Sequence, residues 1–117
     1  MSEIRADTIS DAAGTGPIAL TKQSAAKVFA TSDTQGTVVY GFNVAGVVDD
    51  GTGQRTFNFI SALADTNYSA VSTPSASTGM THAISGRTAT SASTDTDTNS
   101  GTSADRAVHI TIHGDLA

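Results

Sequence analysis

Thr37-Val38-Val39-Tyr40-Gly41-Phe42-Asn43-Val44, followed by Asp49-Asp50-Gly51-Thr52-Gly53 and then Arg55-Thr56-Phe57-Asn58-Phe59-Ile60, is the stretch that decides the fold. In its first part Val38, Tyr40, Phe42 and Val44 occupy alternate positions, the period of a half-buried strand. Phe57 and Phe59 alternate with polar residues in the same way. Between them the glycines supply the positive φ angles that a tight reversal needs. The pattern predicts a β-hairpin over residues 37–60, bent near Gly46, with Val38, Tyr40, Phe42, Phe57 and Phe59 facing the core.

Working outward, residues 67–72 read as a third strand with Tyr68 and Ala70 on one face. Residues 80–85 and 88–93 form a second, weaker hairpin around Gly86-Arg87, built mostly from Ala, Ser and Thr. The last strand, residues 106–113, turns Val108, Ile110 and Ile112 inward and His109, Thr111 and His113 outward. Residues 94–105 have no hydrophobic period and read as a polar loop, with Asp95, Asp97 and Asn99 as its candidate exposed groups. Residues 23–29 fit either a helical turn or the lead into a strand.

At the start, Ala12-Ala13-Gly14-Thr15-Gly16-Pro17 is a breaker cluster. The large apolar groups before and after it, Ile4, Ile9, Ile18 and Leu20, are few. We expect an extended arm over residues 1–24 that docks on a neighbour through Ile4, Ile9, Pro17, Ile18 and Leu20, with a frayed terminus as the alternative. The expected fold class is therefore all-β: a small antiparallel sandwich or meander over residues 25–117, led by that arm.

Composition narrows the function. Ser and Thr make up about 28% of the 117 residues, and Leu, Ile, Val and Phe only about 19%. A core this lean in a chain without cysteine implies help from metal, from oligomerisation or from docking on a larger body. The net charge of −5 and the scattered Arg5, Lys22, Lys27, Arg55, Arg87 and Arg106 argue against a nucleic-acid partner. No apolar run reaches the length of a membrane span, and Met1-Ser2-Glu3-Ile4-Arg5 lacks the layout of a signal peptide. We expect a soluble product made in the cytoplasm, with no membrane insertion.

Catalytic patterns are weak. No serine sits in a Gly-x-Ser-x-Gly elbow, and Glu3 is the only glutamate, so a paired-carboxylate glycosidase would have to use Asp alone. The residues around His82 and His109 read as ordinary strand, which makes surface histidines of them. Gly14-Thr15-Gly16 and Gly51-Thr52-Gly53 lack the Lys-Ser/Thr that a phosphate loop requires. His109 and His113 share a strand face but stand about 13 Å apart, too far for one ion within one chain. Asp95-x-Asp97-x-Asn99 resembles the start of a calcium loop, but its glycine comes late and Arg106 stands where a closing glutamate belongs. The expectation is no enzyme, no metal site and no cofactor.

Several blocks in register resemble a family of tailed bacteriophages, particularly those of marine bacteria. Ser2-Glu3-Ile4-Arg5-Ala6-Asp7-Thr8-Ile9 with Ala12-Ala13-Gly14-Thr15-Gly16 is similar to the start of many tail-fibre and virion proteins. Pro17-Ile18-Ala19-Leu20-Thr21-Lys22-Gln23-Ser24-Ala25-Ala26-Lys27 resembles the family's most recognisable block. Phe42-Asn43-Val44, Asp50-Gly51-Thr52-Gly53, Thr56-Phe57-Asn58-Phe59 and Ala64-Asp65-Thr66-Asn67-Tyr68-Ser69 look like its hairpin and following strand, and His113-Gly114-Asp115-Leu116-Ala117 like its ending. One departure is Val28-Phe29, where members often carry a tryptophan.

The resemblance implies a structural protein of the virion surface, with the virion as its location and a homotrimer as the expected assembly. Two readings follow. In one, the chain is a tail-fibre-type protein whose loops at 73–79 and 94–105 contribute to host attachment by touching a host surface molecule. In the other, it is a capsid decoration, cement or head-fibre protein whose arm clamps the major capsid protein and stabilises the shell. A lectin-like module has less support, because no aromatic platform for sugars is visible.

Overall fold

A computed structural model of the chain describes residues 25–75 and 80–117. The arm positions Ile4, Ile9, Pro17, Ile18 and Leu20 lie outside the described residues, as does 76–79 of the expected 73–79 loop. The described chain is all-β, with eight strands: β1 (Val28–Ser32), β2 (Val38–Phe42), β3 (Val44–Gly51), β4 (Gln54–Phe59), β5 (Ser69–Ser75), β6 (Met80–Arg87), β7 (Ser91–Thr98) and β8 (Ala107–His113). They form two antiparallel four-stranded sheets, the first in the order β2-β1-β8-β5 and the second in the order β3-β4-β7-β6. The sheets stack as a sandwich, with their inner faces sharing one core. Among the described residues no helix is long and apolar enough to cross a membrane.

The expected hairpin over 37–60 divides into two. Only β3 and β4 pair with each other, while β2 pairs with β1 in the opposite sheet. The division falls at Asn43, which holds a left-handed backbone with φ 57°. Asn tolerates that conformation better than most residues with a side chain. Its carboxamide then ties the corner down: Nδ2 donates to the Lys27 and Ser61 carbonyls, both at 3.1 Å, and Oδ1 accepts from Ser61 N–H at 2.7 Å. Strand alternation therefore restarts on the other sheet.

The core consists of Val28, Ala30, Phe57, Phe59, Leu63, Tyr68, Ala92, Val108, Ile110 and Ile112. Of the expected core residues, Phe57, Phe59, Tyr68, Val108, Ile110 and Ile112 are buried, with Phe59 and Tyr68 edge to face at 6.3 Å. Val38 is half-buried, and Tyr40 and Phe42 are not core residues at all, being 67% and 54% exposed. The register explains it. Tyr40 and Phe42 lie opposite Thr31 and Phe29, which point outward, and an irregularity after Thr31 brings Val38 opposite inward-facing Ser32.

Residues 91–98 correct a second expectation. Thr94 to Thr98 continue strand β7, so Asp95 and Asp97 stand in a sheet and only Asn99 lies in the exposed loop beyond. The strand has no large apolar side chain on its inner face, where Ala92, Thr94 and Thr96 are buried. β1, left open between turn and strand, is an inner strand between β2 and β8.

One end of the sandwich is fastened by Arg55, which is 1% exposed. Its Nη1 donates to Asp49 Oδ1 at 2.7 Å and to the Gln54 carbonyl at 2.9 Å; its Nη2 donates to the Thr34 carbonyl at 2.7 Å and Asp105 Oδ1 at 3.2 Å. Three reversals, β1–β2, β3–β4 and β7–β8, thereby meet on one guanidinium. Asp105 Oδ1 also accepts from Gly53 N–H at 2.8 Å. Gly53 has φ 78° and sits against the Thr96 carbonyl, leaving no room for a side chain. The Gly53 amide, with Arg55 adding to it, holds the Asp105 carboxyl below the usual carboxylate range.

A buried guanidinium that loses its counter-charges is destabilising. The double variant Asp49→Asn with Asp105→Asn should therefore lose more stability in urea unfolding than the two single variants added together, because each single variant keeps one carboxylate on Arg55.

Candidate functional site

The strands of the first sheet, Val28–Ser32, Val38–Phe42, Ser69–Ser75 and Ala107–His113, contain no Asp, Glu, Lys or Arg. Those of the second sheet carry Asp49, Asp50, Arg55, Arg87, Asp95 and Asp97. The two outer faces consequently differ in kind, and the uncharged one is the candidate site.

The cross-strand register builds that face in rows. One row runs Phe42, Phe29, Thr111, Val71 across four strands, and the next runs Tyr40, Thr31, His109, Thr73. Phe29 lies between the two aromatics of β2, with its ring centroid 5.6 Å from Tyr40 and 5.7 Å from Phe42. Such cross-strand aromatic contacts stabilise the pair by about 0.5–1.5 kcal/mol, so the rings are held in place before any partner arrives. Thr31 Oγ1 and His109 Nδ1 are 3.0 Å apart. Val39 and Val71 extend the apolar surface to either edge, at 67% and 64% exposed.

Beside Phe42 the face continues into a groove of about 370 Å³ lined by Phe42, Ile60, Leu116 and the corner residue Asn43, with Lys27 at its rim. Ile60 is 70% exposed. The floor is fixed by the connection that closes this end of the core: Leu63 is buried and bridges to Leu116, and Ala117 N–H donates to the Ala62 carbonyl at 3.0 Å. Exposed aromatic and aliphatic groups that touch one another make this face the candidate interaction surface.

The opposite face is polar and internally bonded. Thr56 Oγ1 contacts Asp50 Oδ2 at 2.5 Å and Ser93 Oγ at 2.8 Å. Asp95 and Asp97 point the same way from alternate positions of β7, about 7 Å apart along the strand. In an extended strand they do not wrap a cation, and Asn99 lies beyond it. Among the described residues no group of three or more His, Cys, Asp or Glu side chains stands close enough to hold a metal ion.

His82 differs from its reading as a surface histidine. It faces inward and is half-buried, bridging the two sheets at the β5/β6 edge: Nε2 lies 2.7 Å from Ser72 Oγ and Nδ1 2.6 Å from Thr96 Oγ1. A serine and histidine at this distance form the first contact of nucleophilic catalysis. Here, however, the third partner is a threonine hydroxyl, which does not stabilise an imidazolium as a carboxylate does. Ser72 also lies on the half-buried positions of its strand, among Ala70 and Pro74. The arrangement serves as a polar clasp between sheets. In sequence the only trace of it is a histidine among small residues at inward positions.

Family models, curated proteins and solved structures were all compared with the chain, and none matches it.

Burial lowers the His82 pKa from its ordinary value, and Asp95 opposes the shift only in part. The folded state thus takes up this proton less readily than the unfolded chain, whose histidine titrates near about 6.5. The clasp is complete above that pH and is lost as the pH falls through the lower folded value. Thermal melts between pH 7.5 and 5 should show wild-type stability declining more steeply than that of His82→Gln, with no difference in slope above pH 7.

Proposed function

We propose that the chain is a structural component of a bacteriophage virion, a tail-fibre-type surface protein that packs on its neighbours and contributes to host attachment through exposed loops. The observation that carries the structural half of this reading is the division of charge between the two sheets. A chain of net charge −5 keeps every charged side chain off the strands of one sheet and arrays aromatics there instead. That is the chemistry of a surface made to lie against protein. The carboxylates and hydroxyls of the other face suit continued exposure to water. The phage assignment rests on the sequence blocks that resemble tail-fibre and virion proteins.

In this reading the chain is a binding and assembly part, not an enzyme, and works without a cofactor. Its partners are copies of itself, expected as a homotrimer, other virion proteins and a host surface molecule. The outward elements are the second sheet with Asp95 and Asp97, and the loop beyond β7 with Asn99.

A second reading has its own support. The same uncharged sheet could equally lie on a shell, which makes the chain a decoration or cement protein seated on the major capsid protein. Residues 1–24 would be its anchor.

Gold-labelled antibody imaging of purified particles, with copy number from quantitative mass spectrometry, separates the two. The fibre reading predicts label at the tail tip in a few to a few tens of copies, roughly as expected of a small symmetric assembly. Label over the head in hundreds of copies supports the decoration reading. Particles carrying none of the chain contradict both.

A further inference from the structure

We propose that strand β2 pairs edge to edge with β2 of a second copy of this chain, joining the two first sheets into one continuous sheet. The contact rests on the assembly reading above but replaces its expected homotrimer with a pair: it gives that surface a second copy as partner, related by a two-fold axis.

Among the described residues the sandwich has four edge strands: β2 and β5 in the first sheet, β3 and β6 in the second. An exposed edge is a template for another strand unless charge, proline or a bulge blocks it. β5 carries Pro74 in its interior. β3 ends in Asp49 and Asp50 and has two register shifts against its neighbour. β6 shifts between Ile84 and Gly86 and ends in Arg87. β2, Val38-Val39-Tyr40-Gly41-Phe42, has neither charge nor proline. Its one irregularity, at Val39, lies in its pairing with β1 and leaves Tyr40 to Phe42 regular.

β2 is short, so backbone pairing alone is weak, but the surface beside it adds area. Val39, Tyr40, Phe42, Ile60 and Leu116 are exposed by 67%, 67%, 54%, 70% and 39%. Fully covered, they would remove on the order of 500 Å² of side-chain surface per copy, at most about 1,000 Å² for a pair, the low end for a specific interface.

Charge selects the partner. Two copies of a chain with net charge −5 repel wherever their carboxylates meet. The first sheet is where they meet without any, because none of its strands carries one. A two-fold axis through Tyr40 sets a neutral, apolar edge against itself, the self-complementarity that an isologous contact demands.

Sedimentation of the full chain over a range of concentrations tests the contact, with Val39→Lys to block the edge and Val71→Lys as a matched control on the far strand. Both positions are exposed, so neither variant threatens the fold. We expect reversible dimers, a dissociation constant raised about ten-fold or more by Val39→Lys, corresponding to roughly 1.4 kcal/mol, and no change with Val71→Lys. The chain has no cysteine, so Tyr40→Cys should cross-link to itself under a thiol oxidant and Val71→Cys should not. Three results overturn the proposal: a monomer at every concentration, association indifferent to Val39→Lys, or protection from hydrogen exchange in the monomer of the β2 amides that point away from β1, which would place the chain's own segment on the edge. A monomer that still labels the particle would remove this contact and leave the virion reading standing.

Discussion

The guanidinium of Arg55 is the contact on which the rest of the sandwich depends. Its core is small, with two alanines among its ten buried apolar residues and Thr94 and Thr96 buried beside them. Apolar burial alone is therefore a thin source of stability. Polar side chains fasten the assembly where the core gives out. Arg55 gathers three reversals at one end, Asn43 locks the corner between sheets at the other, and His82 clasps the β5/β6 edge. Because Arg55 and Asp105 occupy the second sheet and the loop after it, the first sheet is left free of charge without loss of its anchorage.

That freedom links the fold to the function. A sheet with a lean interior and an aromatic exterior gains stability by covering its outer face, since any partner bound only to the folded state stabilises it. The strand carboxylates, Asp49, Asp50, Asp95 and Asp97, all belong to the other sheet, where like charge repels misplaced contacts. In the proposed role, assembly would be directed as much by where charge is placed as by where aromatics are.

Much of the fold was legible in the sequence. The all-β class, the inward faces of β4 and β8, and the turn at Gly51-Thr52-Gly53 follow from alternation and glycine placement. What alternation does not reveal is which side of a strand is buried. Tyr40 and Phe42 share a face whether it points in or out, and the deciding features, the Asn43 corner and the shift opposite Val38, are register effects. The part of β7 beyond residue 93 was missed for a different reason: Thr-Asp alternation carries almost no hydrophobic signal, although Thr94 and Thr96 are buried. The candidate site was hardest to read. Its residues look like core in sequence, and only the sheet assignment of β2 turns them into surface.

Hydrogen exchange on the full chain, free and then incorporated into particles, tests most directly the claim that the uncharged face is the one that binds. The account predicts that incorporation slows exchange at β1, β2 and the strands beside them in the first sheet, while β6 and β7 exchange as in the free protein. Protection gained on β6 and β7 with β2 unchanged would contradict it.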